Sequence, residues 1–178
     1  NLFRWDYITE EGRREAKLFS PVYKIYVLDY PLFRQRLEKS TNRSFPLDQI
    51  FILEYTFLND LCSINSSNRW SAQKIKERKK ITNVYKENIE KTPNRVVLKF
   101  FEEGILLGNS EHSQEEYYYL DKGNFLRNLL FPQPTLCGSM AIIKPNGQAI
   151  IRNGEYSTQS MADHLTPENW ELFFPDAK

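Results

Sequence analysis

The sequence predicts one α/β domain: a single mixed β-sheet flanked by helices. Three observations carry that expectation. Residues 50–57, IFILEYTF, and residues 95–101, RVVLKFF, are short runs rich in β-branched and aromatic side chains. Such runs suit strands buried on both faces. Residues 70–91 between them read as one long amphipathic helix, and a strand–helix–strand unit of this kind sets its two strands parallel in one sheet. Finally, MAIIKPNGQAIIRNG (140–154) places two apolar runs around Pro145-Asn146-Gly147, a hairpin that adds antiparallel strands.

Each element follows from local chemistry. Thr9 offers a capping hydroxyl, and Glu10 and Glu11 put acids in a first turn, which predicts a helix to about Phe19, stopped before Ser20-Pro21. YKIYVLDY (23–30) reads as a strand, and Pro31 suits the first turn of a short helix, PLFRQRLEK. IFILEYTF, apolar on both faces, is expected at the centre of the sheet. The long helix is expected to pack through Ile75, Ile81, Tyr85 and Ile89, with Lys76, Lys79, Lys80, Lys86 and Lys91 opposite. After strand 95–101, EEGILLGN is expected to fold back beside it. EEYYYL (115–120) fits no single period. DKGNFLRNLLF (121–131) reads as a short helix ended by Pro132. In the hairpin, proline fixes a negative φ and glycine supplies the positive φ that follows, which predicts a type I turn with a glycine bulge. A last helix is expected from Thr158 to about His164, with another turn after Thr166-Pro167-Glu168. The chain thus divides into an N-terminal helix and lead-in over 1–22 and an α/β core over 23–178.

Composition narrows the function. With 40% hydrophobic and 26% charged residues the chain reads as globular rather than disordered. A net charge of +1 gives no global field to attract nucleic acid or an anionic membrane. No apolar run reaches a membrane span, and a cytoplasmic protein is expected. The first residue is Asn1 rather than Met, which predicts a domain cut from a longer protein. Two cysteines, Cys62 and Cys137, are too few for a disulfide scaffold and too far apart for a zinc ribbon, though they permit one bridge.

From residue 23 to about 165, the order of strands and helices resembles the thioredoxin-like superfamily, in which βαβ is followed by a helix, a β-hairpin and a closing helix. The resemblance implies redox chemistry in the loop after the central strand, here LNDLCSINSSNRWS, which carries Cys62. That chemistry uses Cys-x-x-Cys, with one thiolate attacking and the second thiol resolving. Here Asn65 takes the place of the second cysteine. The superfamily's cis-proline before the hairpin strand is also unmatched: Ser139 precedes Met140, and Pro134 is the nearest proline upstream. A single-cysteine oxidoreductase or peroxidase would use Cys62, with Cys137 or an external thiol resolving. For the peroxidase form, Thr56 stands six residues before Cys62 rather than three, and Arg69 is the nearby arginine.

Other constellations are thinner. The run RWSAQKIKERKK could serve nucleic acid through Lys76, Lys79, Lys80 and Lys86, but Glu87 and Glu90 dilute the outer face, and a solvated amphipathic helix is the simpler expectation. Glu111, His112, Glu115 and Glu116 offer metal-ligand types at helical spacing without a second cluster, and His164 is the only other histidine. Asp29 and Glu54 near strand ends look like part of a metal nuclease, but the Glu-x-Lys of such a site is missing. No cofactor or metal is therefore expected. If 115–120 is a strand, alternation predicts that at least one ring of Tyr117, Tyr118 and Tyr119 is exposed. Together with Trp170, Phe173 and Phe174 these tyrosines form the expected interface for a protein partner. The resulting expectation is a non-catalytic interaction domain, with thiol enzyme and nucleic-acid module as alternatives and the oligomeric state left open.

Overall fold

The computed structural model describes residues 3–8, 13–19, 22–60, 67–110, 115–135 and 137–175. The chain opens with an antiparallel hairpin of β1 (Phe3–Ile8) and β2 (Arg14–Phe19), in register from Phe3↔Phe19 to Ile8↔Arg14. This corrects the expected helix over Thr9–Phe19. In FRWDYI, aromatic Phe3, Trp5 and Tyr7 alternate with Arg4 and Asp6, the period-two pattern of a strand. A paired partner outweighs the short helix signal Thr9-Glu10-Glu11, which itself lies outside the described residues.

The rest builds one domain. β3 (Val22–Val27) leads into α1 (Tyr30–Thr41), where the Asp29 carboxylate accepts the Leu32 N–H at 3.0 Å and Pro31 sits in the first turn. β4 (Ile50–Thr56) and β5 (Arg69–Trp70) precede α2 (Ala72–Glu90), capped by the Ser71 hydroxyl. β6 (Arg95–Glu102), β7 (Leu106–Leu107), β8 (Tyr118–Asp121) and α3 (Phe125–Leu129) follow. The hairpin β9 (Ser139–Ile143) and β10 (Gln148–Asn153), then α4 (Thr158–Ala162) and α5 (Pro167–Glu171), complete the chain.

Among the described residues, six strands form one mixed sheet in the order β3-β10-β9-β4-β6-β8. β4, β6 and β8 run parallel, while β9 is antiparallel to β4, and β10 is antiparallel to both β9 and β3. β4 is central, as its two-sided apolar pattern requires. The succession β4–α2–β6–β8–α3–β9–β10–α4 contains the expected βαβ unit, helix, hairpin and closing helix, with β8 added at the edge beside β6. The stretch 102–109 does not lie beside β6 as expected; its strand β7 pairs in parallel with β5. The hairpin turn has the expected form: Gly147 N–H donates to Lys144 O, Lys144 N–H donates to Gln148 O, and Gly147 has φ +83°. Only glycine fits there, because a Cβ would lie 2.3 Å from the Leu28 carbonyl oxygen.

Both faces of the sheet are covered. One core joins α1 and α3 to Phe51, Leu53, Tyr55, Leu98 and Phe100; the other joins α2, α4 and α5 to Ile52, Val97, Met140, Ile142 and Ile150. Two expectations fail for this reason. Tyr117, Tyr118 and Tyr119 are 4%, 0% and 1% exposed, so none of the three rings reaches the surface. Alternation sends neighbours to opposite faces, but here each face is roofed. On α2 the expected Ile75 and Ile89 are buried and half-buried Tyr85 packs against the second core, but Thr82 takes the place of Ile81, which is 54% exposed.

Candidate functional site: a cleft at the carboxyl end of the central strand

Parallel β4 and β6 end on the same side of the sheet, β9 begins there, and α2 starts there. Open α/β sheets hold their crevices at this position. A cleft of about 750 Å³ lies between these ends and the segment before α4. Its floor is an ion pair. Glu54 and Lys99 are direct partners in the β4–β6 register, with Lys99 Nζ donating to Glu54 Oε2 at 3.0 Å. The Thr158 hydroxyl donates to the other carboxylate oxygen at 2.7 Å. Burial pushes the Glu54 carboxyl up, but Lys99, the Thr158 hydrogen bond and the more distant Arg78 outweigh it and hold the group below its ordinary value.

Polar side chains such as Asn68, Glu77 and Arg78 line the walls together with aromatic and aliphatic ones. Trp70, just before α2, meets Phe101 edge-on at 5.0 Å and carries the Lys74 ammonium 4.4 Å over its ring. Exposed Ile81 and half-buried Tyr85 extend this wall along α2, and Tyr156 faces it from the segment before α4. Burial, and then the Glu54 charge, push the Tyr156 hydroxyl well above its usual value, so it stays protonated.

The rim is the loop before β9. Cys137 lines the cleft at φ +66°, and its N–H donates to the Asp60 carboxylate at 3.0 Å. Cys137 is disulfide-bonded. The chain contains one other cysteine, Cys62, which lies with Asn65 outside the described residues. Ser139, at the position expected for a cis-proline, is buried, its hydroxyl 3.0 Å from that of Thr135. Among the described residues every peptide bond is trans.

The other expected site residues are dispersed. Thr56 lines the cleft, whereas Arg69 is exposed on β5 and is not part of the lining. The lysines of α2 split. Lys76 and Lys80 are exposed. Lys79 pairs with Glu116 at 2.6 Å and lies over the Tyr117 and Tyr118 rings, and Lys86 pairs with Glu90 and lies over Tyr117. Lys79 and Lys86 therefore flank the packed face instead of opposing it. Trp170 is buried against the second core, stacked on half-buried Phe174. Phe173 contacts Tyr23 and His164. With Tyr117–Tyr119 in the first core, the six aromatic residues form no common surface. Asp29 is engaged in capping α1, and His112 lies outside the described residues. Burial and Arg152 lower the pKa of His164, which shares a 3.2 Å hydrogen bond with the Tyr23 hydroxyl. Among the described residues no three His, Cys, Asp or Glu side chains converge on a metal position. No described helix is long and apolar enough to cross a membrane.

Sequence reasoning missed Lys99, Thr158, Tyr156 and Asp60 as neighbours of one cavity. One signal was available: the two apolar strands on either side of the long helix each carry a single charge in their middle, Glu54 and Lys99.

No protein-family model matches the chain, and no curated protein matches it. Among solved structures, the chain is similar to the pneumococcal exposed lipoprotein thioredoxin Etrx1 from Streptococcus pneumoniae strain TIGR4. The identity is 10%, the TM-score is 0.43, and the alignment covers 92% of this chain and 98% of that one.

Proposed function

We propose that the chain is a non-catalytic binding domain that takes an apolar side chain of a protein partner into the cleft at the carboxyl end of β4. The observation that carries this reading is the lining. Trp70, Ile81 and Tyr85 present an apolar wall to solvent, while the charges of the floor are matched to one another rather than to an incoming group. A cavity of about 750 Å³ is large enough to take a side chain, and Asp60, Asn68, Glu77 and Arg78 add polar groups to its lining beside that wall. This cleft replaces the aromatic surface of Tyr117–Tyr119, Trp170, Phe173 and Phe174 as the contact region. The pairing of Lys79 and Lys86 with acids weighs against a nucleic-acid face. The disulfide at Cys137 favours an oxidising compartment over the cytoplasm, because cytosolic thiols are kept reduced.

The test is affinity capture with the intact chain, Ile81→Glu and Val84→Glu. Ile81 lines the cleft; Val84 is as exposed on the same helix but lies outside the lining. A partner held by the intact chain and by Val84→Glu but lost with Ile81→Glu supports the reading, and equal retention by all three refutes it. A second reading, thiol chemistry, draws on the disulfide-bonded Cys137 at the cleft rim. Insulin reduction or peroxide consumption abolished by Cys62→Ser would establish it in place of the first.

A further inference from the structure

We propose that Lys144 and Arg95 form a binding site for a phosphate group at the amino end of β4, the end of the sheet away from the cleft. Strand register puts the two cations there. Arg95, the first residue of β6, pairs with Ile50 at the start of β4, and Ile143, the last residue of β9, pairs with Phe51. Lys144 follows Ile143 and so flanks Ile50 from the other side. Both side chains share the face of the second core. Arg95 stands two residues before Val97, a member of that core, and alternation keeps the two on one face. The Lys144 ammonium lies 4.0 Å over the ring of Trp170, which belongs to the same core. The Trp170 indole N–H donates to Gln148 Oε1 at 2.8 Å and fixes the ring beneath the ammonium.

Negative charge is what the pair lacks. Among the described residues the buried Arg95 Nε has no hydrogen-bond partner, and neither Arg95 nor Lys144 takes part in an ion pair. The acids that come nearest along the chain are engaged elsewhere. Glu90, in the last turn of α2, accepts the Val97 N–H with one carboxylate oxygen and pairs with Lys86 through the other. Asp48, just before β4, accepts from the Asn94 side chain. Burial, and then the Arg95 charge, lower the Lys144 pKa, so the two cations stand close enough to repel. A buried donor without an acceptor is rare in a folded protein, and two neighbouring cations without an acid call for a counter-charge. Phosphate supplies it together with several acceptor oxygens. The guanidinium fork matches those oxygens, and the ammonium adds a point charge beside it.

The whole chain tests this by titration with inorganic phosphate, glycerol phosphate and acetate at constant ionic strength, followed by NMR at the Trp170 indole N–H and the Lys144 side chain. Phosphate should shift both signals saturably and raise the Lys144 pKa, because a bound anion favours the charged amine. Lys144→Met and Arg95→Met should each weaken phosphate binding by about tenfold or more, and Arg95→Lys should restore part of the loss. Lys76→Met, on the exposed side of α2, should change nothing. Glycerol phosphate held as tightly as phosphate supports a site for the phosphate group of a larger ligand, and inorganic phosphate held alone supports a site for the free ion. Acetate held as tightly as phosphate overturns the proposal, because the site would then read charge and not the phosphate group. So does the lack of a saturable shift, or equal affinity in the intact chain and Lys144→Met. Should Arg95→Met fail to fold, the comparison with Lys144→Met decides.

Discussion

Glu54 and Asp121 are both buried carboxylates, one under the cleft and one under α3, and they titrate in opposite directions. Burial leads in both cases and pushes each group up. At Glu54 a full positive charge, Lys99, stands 3.0 Å away in the next strand, and the carboxylate ends below its ordinary value. At Asp121 the partners are dipoles: Leu126 N–H at 3.0 Å, Arg127 N–H at 2.8 Å and the Tyr55 hydroxyl at 2.9 Å. They cap α3 and tie β8 to β4, but they do not overcome desolvation, and Asp121 ends above its ordinary value. The difference separates a site that holds charge at the base of a cavity from a joint that holds two elements together.

The largest effect should come from breaking the charged floor. Lys99→Met leaves Glu54 buried beside an apolar side chain and should cost about 3–5 kcal/mol in denaturant unfolding at neutral pH. Adding Glu54→Gln to Lys99→Met should recover a large part of this. A double variant no more stable than Lys99→Met would show that Glu54 needs no countercharge. At the other carboxylate, Asp121→Ala should cost about 2 kcal/mol, since it removes two helix-capping acceptors and leaves the Tyr55 hydroxyl unpaired. A loss as great as that of Lys99→Met would erase the distinction between the two sites.

Removing single hydroxyls should be milder. Tyr55→Phe and Thr158→Val each delete one donor to a buried carboxylate and should cost about 1–2 kcal/mol. Tyr55→Phe should also raise the Asp121 pKa further, because the hydroxyl is among the groups that lower it. Carboxyl chemical shifts followed through an acid titration give that reading directly, and a lowered Asp121 pKa would contradict the assignment.

How far these features were legible in the sequence follows the range of the interactions involved. β4, β6 and the Pro145-Asn146-Gly147 turn depend on composition within a few residues, and they were readable. β1 and β2 were not, because Thr9-Glu10-Glu11 imitates a helix start and the partner strand decides. The burial of Tyr117, Tyr118 and Tyr119 depends on which helices roof which face. Ile81 shows the same limit: its place on a helical wheel cannot reveal that Lys79 and Lys86 turn to Glu116 and Glu90 beside the packed face. Glu54 stood out as a charge in an apolar strand. Its match to Lys99, 45 residues on, is a matter of register between parallel strands.

The smallest effect is also the most specific to the comparison. A carboxylate whose folded pKa is lowered contributes stability that is fully present above its unfolded pKa and lost as pH falls through the folded value. Glu54 therefore supports the fold at neutral pH and withdraws that support in acid, below the usual carboxylate range. For Asp121 the sign reverses. Its folded pKa is raised, so its contribution is greatest below the unfolded pKa and is lost as pH rises through the folded value. The two should partly cancel in the intact chain between about pH 3 and 6, leaving a shallow profile from these groups. Glu54→Gln should remove one arm and expose stability that declines as pH rises through the Asp121 range. Asp121→Asn should leave the opposite slope, with stability climbing from acid to neutral. The sign of each slope follows from the direction of the shift at the acid that remains. Urea unfolding at several pH values in the same window measures both slopes, and slopes of the same sign in the two variants would refute the opposite roles given to the two acids.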